Sequence, residues 1–102
     1  MGIIMKKLLM VTLLMFGAAQ VFADPAIEAK YTKTCAICHA AGVAGAPKSG
    51  VVADWESRLA KGDEALLKSM NKGLNAMPPK GMCMDCSNEE FLALIKYMST
   101  AK

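Results

Sequence analysis

TCAICHAAG, residues 34–42, holds two thiols three positions apart and, directly behind them, the single histidine of the chain. On a helix, Cys35 and Cys38 stand one turn apart on a shared face, and His39 lies one further step around. A flat macrocycle laid against that face can take two thioether bonds from the cysteines while the imidazole points at its metal. Cys-x-x-Cys-His is the attachment signature of c-type haem. Whether it carries that meaning here depends on compartment, on a second iron ligand, and on the other uses of four cysteines.

The start of the chain sets the compartment. Two lysines, Lys6 and Lys7, precede the apolar run LLMVTLLMFGAA, and Val21 and Ala23 sit where a signal peptidase requires small residues. An apolar run of that length with those flanks predicts a secretory signal peptide over residues 1–23, cleaved ahead of Asp24, rather than a membrane anchor. The expected location is the periplasm, where a disulfide can persist.

Residues 24–102 then form one small domain of 79 residues with no repeats and no low-complexity segment. Ten of the twelve Lys and Arg remain against nine Asp and Glu, a net charge of +1. No basic run is present to displace counterions from phosphate, so a nucleic-acid binder is excluded. A chain of this size buries only about 60% of its unfolded surface, and such domains commonly rely on a covalent or metal staple.

Every strong local signal is helical. Asp24-Pro25 supplies a cap and a first-turn proline for a helix over residues 25–34, with Ile27 and Tyr31 on one face. VADWESRLAKG predicts a second helix closed by Gly62, and DEALLKSMNKG a third that carries Leu66, Leu67 and Met70 inward and closes at Gly73. SNEEFLALIKYMSTAK opens with the capping box Ser87/Glu90, and Phe91, Leu94, Ile95 and Met98 make a core-facing stripe. Between them, NAMPPKGMCMDC is broken by Pro78, Pro79 and Gly81. The fold class is all-α, with about four helices.

For the second ligand, His39 has no histidine partner in the chain. Met70 and Met98 fall on helix faces, where methionine is ordinary core. Met77 precedes two prolines in a non-helical segment, and the stiff Pro-Pro holds its backbone extended, which helps aim a thioether at a fixed point. Met82 and Met84 remain as lesser candidates.

TCAICH, GAPKSG, GLNAMPPKGMCMDC and a capped C-terminal helix together resemble the small exported class I c-type cytochromes, and most closely the cytochrome c5 family. The similarity runs over essentially all of residues 24–102. It implies one covalent haem c bonded through Cys35 and Cys38, His39 and Met77 as axial iron ligands, and helices wrapped round the haem. It also implies a disulfide between Cys83 and Cys86, and Pro47 as the residue whose carbonyl orients His39. One position departs from the pattern: an acidic residue is expected after GAPKSG, and Val51 stands there.

Zinc is the rival for the two Cys-x-x-Cys pairs. The 44 residues between Cys38 and Cys83 exceed the usual zinc-ribbon gap, and zinc leaves His39 unexplained. A thioredoxin-like role for CMDC lacks a βαβ setting. CMDC cannot take a second haem, because Ser87 stands where a histidine is needed. Trp55 reads as a packing residue beside the porphyrin, or as a donor to a haem propionate. Tyr31 and Phe91 are expected to meet where the first and last helices cross. The apolar rim Ala41, Val43, Ala44, Ala46 and Pro79, with Lys48 and Lys80 beside it, is the expected docking edge.

An iron held by His39 and Met77 has no open position, and that pairing raises its potential relative to nitrogen-only ligation. The expectation is a periplasmic electron carrier of a respiratory chain, not an enzyme. Its partners would be redox proteins: a membrane-bound donor complex and a terminal oxidase or reductase. The alternatives are a five-coordinate gas-binding or sensing haem protein, or a haem subunit of a larger oxidoreductase.

Overall fold

Asp24 leaves the extended backbone with its carboxylate accepting from the Ala26 amide at 2.9 Å, and Pro25 occupies the first helical position. This start fixes α1 (Pro25–Lys30). The structure is a computed structural model describing residues 24–102, and the leader expected over residues 1–23 lies outside the described residues.

The chain does not leave the helical state at Thr34, where the sequence reading ends its first helix. It widens into a π-helical turn, Tyr31–Cys35, and continues as α2 (Ala36–His39). The Cys-x-x-Cys-His motif therefore lies on a helix rather than in a turn. No glycine or proline interrupts the chain from Ala26 until Gly42, whose φ of +77° finally turns it. The hydroxyls of Thr32 and Thr34 donate back to the Glu28 and Lys30 carbonyls at 3.0 and 2.8 Å, supporting the widened turn.

The remaining helices are α3 (Val52–Leu59), α4 (Asp63–Lys72) and α5 (Asn88–Ser99). α3 ends at Leu59, three residues short of Gly62. Asp63 is the first residue of α4, where its charge complements the helix dipole. The α5 capping box is complete: the Glu90 amide donates to Ser87 Oγ at 3.1 Å, and the Ser87 amide to Glu90 Oε1 at 2.9 Å. Among the described residues there is no strand, only an isolated bridge between Leu74 and Met77.

α5 is the spine of the core. Phe91 and Leu94 are 0% exposed, and Ile95 and Met98 are buried beside them. Side chains buried to this degree each contribute about 1.5–3 kcal/mol relative to exposure. Ile27, Tyr31, Trp55 and Met70 pack into the same cluster, with Leu66 and Leu67 half-buried at its edge. The ring partner of Tyr31 is Tyr97, at 4.9 Å between centroids and 52° between planes. Phe91 fills the core nearby without being that partner.

Lys30 clamps α1 to the start of α5, with Nζ 3.0 Å from Glu90 Oε2 and 3.7 Å from Asp85 Oδ2. The Ser87 amide and then Lys30 hold the Glu90 carboxyl below the usual carboxylate range, while Glu90 raises Lys30 above its ordinary value.

Candidate metal centre

The α2 end of the long first helix presents the motif to a cleft. Cys35 is buried and Cys38 half-buried, and neither is joined in a disulfide. His39 is only 8% exposed. Its Nδ1 lies 2.8 Å from the Pro47 carbonyl oxygen. A carbonyl can only accept, so Nδ1 carries the proton and the lone pair is left on Nε2, the nitrogen able to bind a metal.

The loop holding Pro47 is fixed from several sides. The Ser49 amide donates to the His39 carbonyl at 2.8 Å, and the Gly50 amide to the Met98 carbonyl at 2.7 Å. Trp55 packs its indole near the imidazole, 5.6 Å between centroids and 28° between planes, and its N–H donates to the Lys48 carbonyl at 3.0 Å. That donor is therefore engaged by the backbone rather than turned to a carboxylate. Trp55 is a packing residue that also braces the loop.

Met77 enters from the other segment. Its amide donates to the Leu74 carbonyl at 2.9 Å, and the Leu74 amide donates back to the Met77 carbonyl at 3.0 Å, closing a tight turn through Asn75 at φ +54°. Two glycines make room for it. At Gly73 (φ +88°) a Cβ would stand 2.9 Å from the Met77 carbonyl oxygen and 3.0 Å from the Pro79 nitrogen. At Gly81 (φ +56°) a Cβ would stand 2.9 Å from the Met77 methyl carbon itself. Met82 reaches the cleft but is 59% exposed, and Met84, at 69%, does not line it.

The cleft joins these groups. Cys35, Cys38, His39, Pro47 and Met77 all line it. Two thiols one helical turn apart, an imidazole with its lone pair on Nε2, and a thioether on an independently braced loop form a donor set that fits a covalently attached haem. Sequence reasoning missed several lining residues, of which two bring distinct chemistry. Ile37, between the cysteines, is apolar yet exposed, and Arg58, three residues after Trp55, brings a charge to the wall.

The second cysteine pair is elsewhere. Cys83 and Cys86 are joined as a disulfide, with Cα atoms 5.4 Å apart, and both are buried in the core cluster. Cys83, Asp85 and Cys86 bring potential metal donors within 4.8 Å of one another. With the sulfurs bonded to each other, no four-cysteine zinc site forms.

Known proteins resemble this chain in sequence and in fold. Residues 23–98 match the family described as cytochrome c oxidase, cbb3-type, subunit III. Cytochrome c5 of Azotobacter vinelandii is 49% identical over 75 residues, covering 72% of this chain and 87% of that one. A mono-haem ferrocytochrome c from Shewanella putrefaciens superposes with a TM-score of 0.65 at 60% identity, over 74% of this chain and 94% of that one. A cytochrome c solved in an electron-transfer complex with nitrite reductase superposes at 0.66 with 42% identity, over 76% and 95% of the two chains. With these relatives and the donor set in its cleft, the chain belongs to the class I c-type cytochromes, in the cytochrome c5 family, and binds one covalent haem c.

Proposed function

We propose that this monohaem electron carrier works in the periplasm, delivered there by residues 1–23 and mature from Asp24. It passes single electrons between a membrane-bound donor complex and a terminal oxidase or reductase, and catalyses no reaction of its own. Cys35 and Cys38 would hold the haem through thioethers, and His39 and Met77 would bind its iron. Haem c supplies a one-electron couple at its iron.

The chain's residues do the rest. The Pro47 carbonyl holds the imidazole in the tautomer that leaves Nε2 to bind, and raises its basicity. The Leu74–Met77 turn holds the thioether backbone in place. With both side chains engaged, no position would remain for a small molecule, and a His/Met pair would raise the potential.

The observation that carries this reading is that His39 and Met77, braced by separate hydrogen bonds, line the same cleft as Cys35 and Cys38, the two cysteines outside the disulfide. Exposed Ile37, Val43 and Leu74 around that cleft suit a small, quickly parted contact, of the kind that buries under about 1,200 Å². The neighbour solved with nitrite reductase supports a reductase as one kind of acceptor. No helix among the described residues is long and apolar enough to cross a membrane.

A test is rapid mixing of the reduced holoprotein with a purified terminal oxidase or reductase, alongside N-terminal sequencing of the periplasmic protein. Rapid reoxidation and a start at Asp24 are expected; reaction with neither acceptor, or an intact leader, contradicts the proposal. The family description as an oxidase subunit favours one second reading, a haem subunit within a larger oxidoreductase. Stoichiometric co-purification with other subunits would mark it.

A further inference from the structure

The hydrogen bond from His39 ends on a peptide group that is itself held at its other end. Pro47 C=O and Lys48 N–H belong to the same amide. The carbonyl accepts from His39 Nδ1 at 2.8 Å, while the N–H donates to Asp54 Oδ2 at 3.1 Å. The next carbonyl, that of Lys48, accepts from the Trp55 indole at 3.0 Å. α3 thus grips this stretch with adjacent residues, a carboxylate on the N–H and an indole on the following C=O. The Asp54 carboxylate takes part in no ion pair among the described residues; the Arg58 guanidinium donates to the Asp54 backbone carbonyl, at 2.6 Å, rather than to the carboxylate.

We propose that Asp54 tunes the haem ligand His39 through the Pro47–Lys48 peptide bond. A carboxylate accepting from an amide N–H draws the amide toward its charge-separated resonance form and makes its oxygen more negative. Linked hydrogen bonds strengthen one another by about 10–30% each, and charged acceptors do so most strongly. The more negative Pro47 oxygen pulls harder on the Nδ1 proton and gives the imidazole more anionic character. An electron-rich imidazole favours the ferric state, so Asp54 holds the potential down and partly offsets the upward pull of Met77. Asp54 is a positioning and tuning residue. It reaches the iron only through Lys48, Pro47 and His39.

A purely structural rival exists. Asp54 stands in the first turn of α3, where an acidic side chain complements the helix dipole. That role would alter melting but not the electronic state of the imidazole. Charge acting through space is a second rival.

The test uses the holoprotein with Asp54→Asn and Asp54→Ala, which remove the charge in two ways so that misfolding of one leaves the other. Glu56→Gln removes a negative charge from the same helix without touching the loop. Two readouts are taken: the midpoint potential, and the proton NMR resonance of His39 Nδ1–H in the ferrous protein. Both Asp54 variants should move that resonance upfield. They should also shift the ferrous-to-ferric ratio at fixed ambient potential about three- to tenfold toward ferrous, and Glu56→Gln should leave the resonance in place. An unmoved resonance in the Asp54 variants overturns the relay, as does a potential shift in Glu56→Gln equal to theirs.

The inference rests on His39 as an iron ligand. Ring-current displacement of the His39 ring protons in the wild-type ferrous protein checks that separately. Its absence would overturn the ligation itself, whereas its presence with an Asp54-independent Nδ1–H overturns the relay alone.

Discussion

Gly73→Ala is the substitution for which the structure gives the sharpest forecast. Gly73 has φ +88° and ψ +161°, a region essentially closed to residues with a side chain. Forcing alanine there costs about 1–3 kcal/mol in backbone conformation alone. The new Cβ would also press on the Met77 carbonyl oxygen at 2.9 Å and the Pro79 nitrogen at 3.0 Å. Both are backbone atoms, and the first accepts the Leu74 bond that closes the Met77 turn. Relief therefore requires opening that turn, and overpacking of this kind adds about 1–3 kcal/mol.

Gly62 is the control. Its φ of +91° and ψ of +158° nearly match those of Gly73, but it lies away from the cleft and nothing is within 4 Å of the added Cβ, so Gly62→Ala should cost only the conformational term, about 1–3 kcal/mol. Gly81→Ala falls between, because the atom in its way is a side-chain methyl, that of Met77, rather than backbone. For a domain this size each kcal/mol lowers the melting temperature by about 4–8 °C. Melting of the oxidised holoprotein should place Gly73→Ala about twice as far below wild type as Gly62→Ala, and only the former should admit carbon monoxide to the reduced iron. Equal losses at the two glycines would refute the role given to close backbone approach around Met77.

Three further outcomes are expected. Glu90 has a lowered pKa in the fold, so its stabilisation is present above the unfolded carboxyl range and is lost as pH falls through the folded value. Lys30 is raised, so its share is present below the ordinary lysine value and is lost as pH rises through the folded value. Glu90→Gln should therefore flatten the acid limb of a stability–pH curve; an unchanged acid limb would remove the clamp from the account. Cys83→Ser with Cys86→Ser should keep the visible spectrum and lower the melting temperature by less than a long-range disulfide would, under ~2–4 kcal/mol, and thiol titration of wild-type holoprotein should find no free thiol. Cys35→Ala and Cys38→Ala should each cripple haem attachment, and acid acetone should leave haem on the wild type; clean extraction would end the thioether assignment.

Much of this was legible where the chain punctuates itself. Asp24-Pro25, Gly62, Gly73 and the Ser87/Glu90 box mark helix ends through local chemistry, and the α5 stripe names its own buried face. Met77 stood out because Pro78 and Pro79 exclude a helix around it. The π-helical turn was not legible, since its extra residue is settled by packing: Tyr31 must meet Tyr97 while Cys35 still enters the core. The Leu74–Met77 turn depends on a positive φ at Asn75 that no pattern announces. Asp54 was invisible for a related reason. Its partner is a backbone amide six residues away, and spacing alone does not distinguish such a carboxylate from a solvated one.

The central claim is that His39 and Met77 close the iron between them. The most direct measurement is the absorption spectrum of the ferric protein together with carbon monoxide addition to the reduced form, for wild type and for Met77→Ala, Met82→Ala and Met84→Ala. Wild type and the last two variants should show the weak red-end methionine–iron charge-transfer band and refuse carbon monoxide, while Met77→Ala should lose the band and bind the gas. A band that survives in Met77→Ala, or vanishes in Met82→Ala or Met84→Ala, would contradict the account.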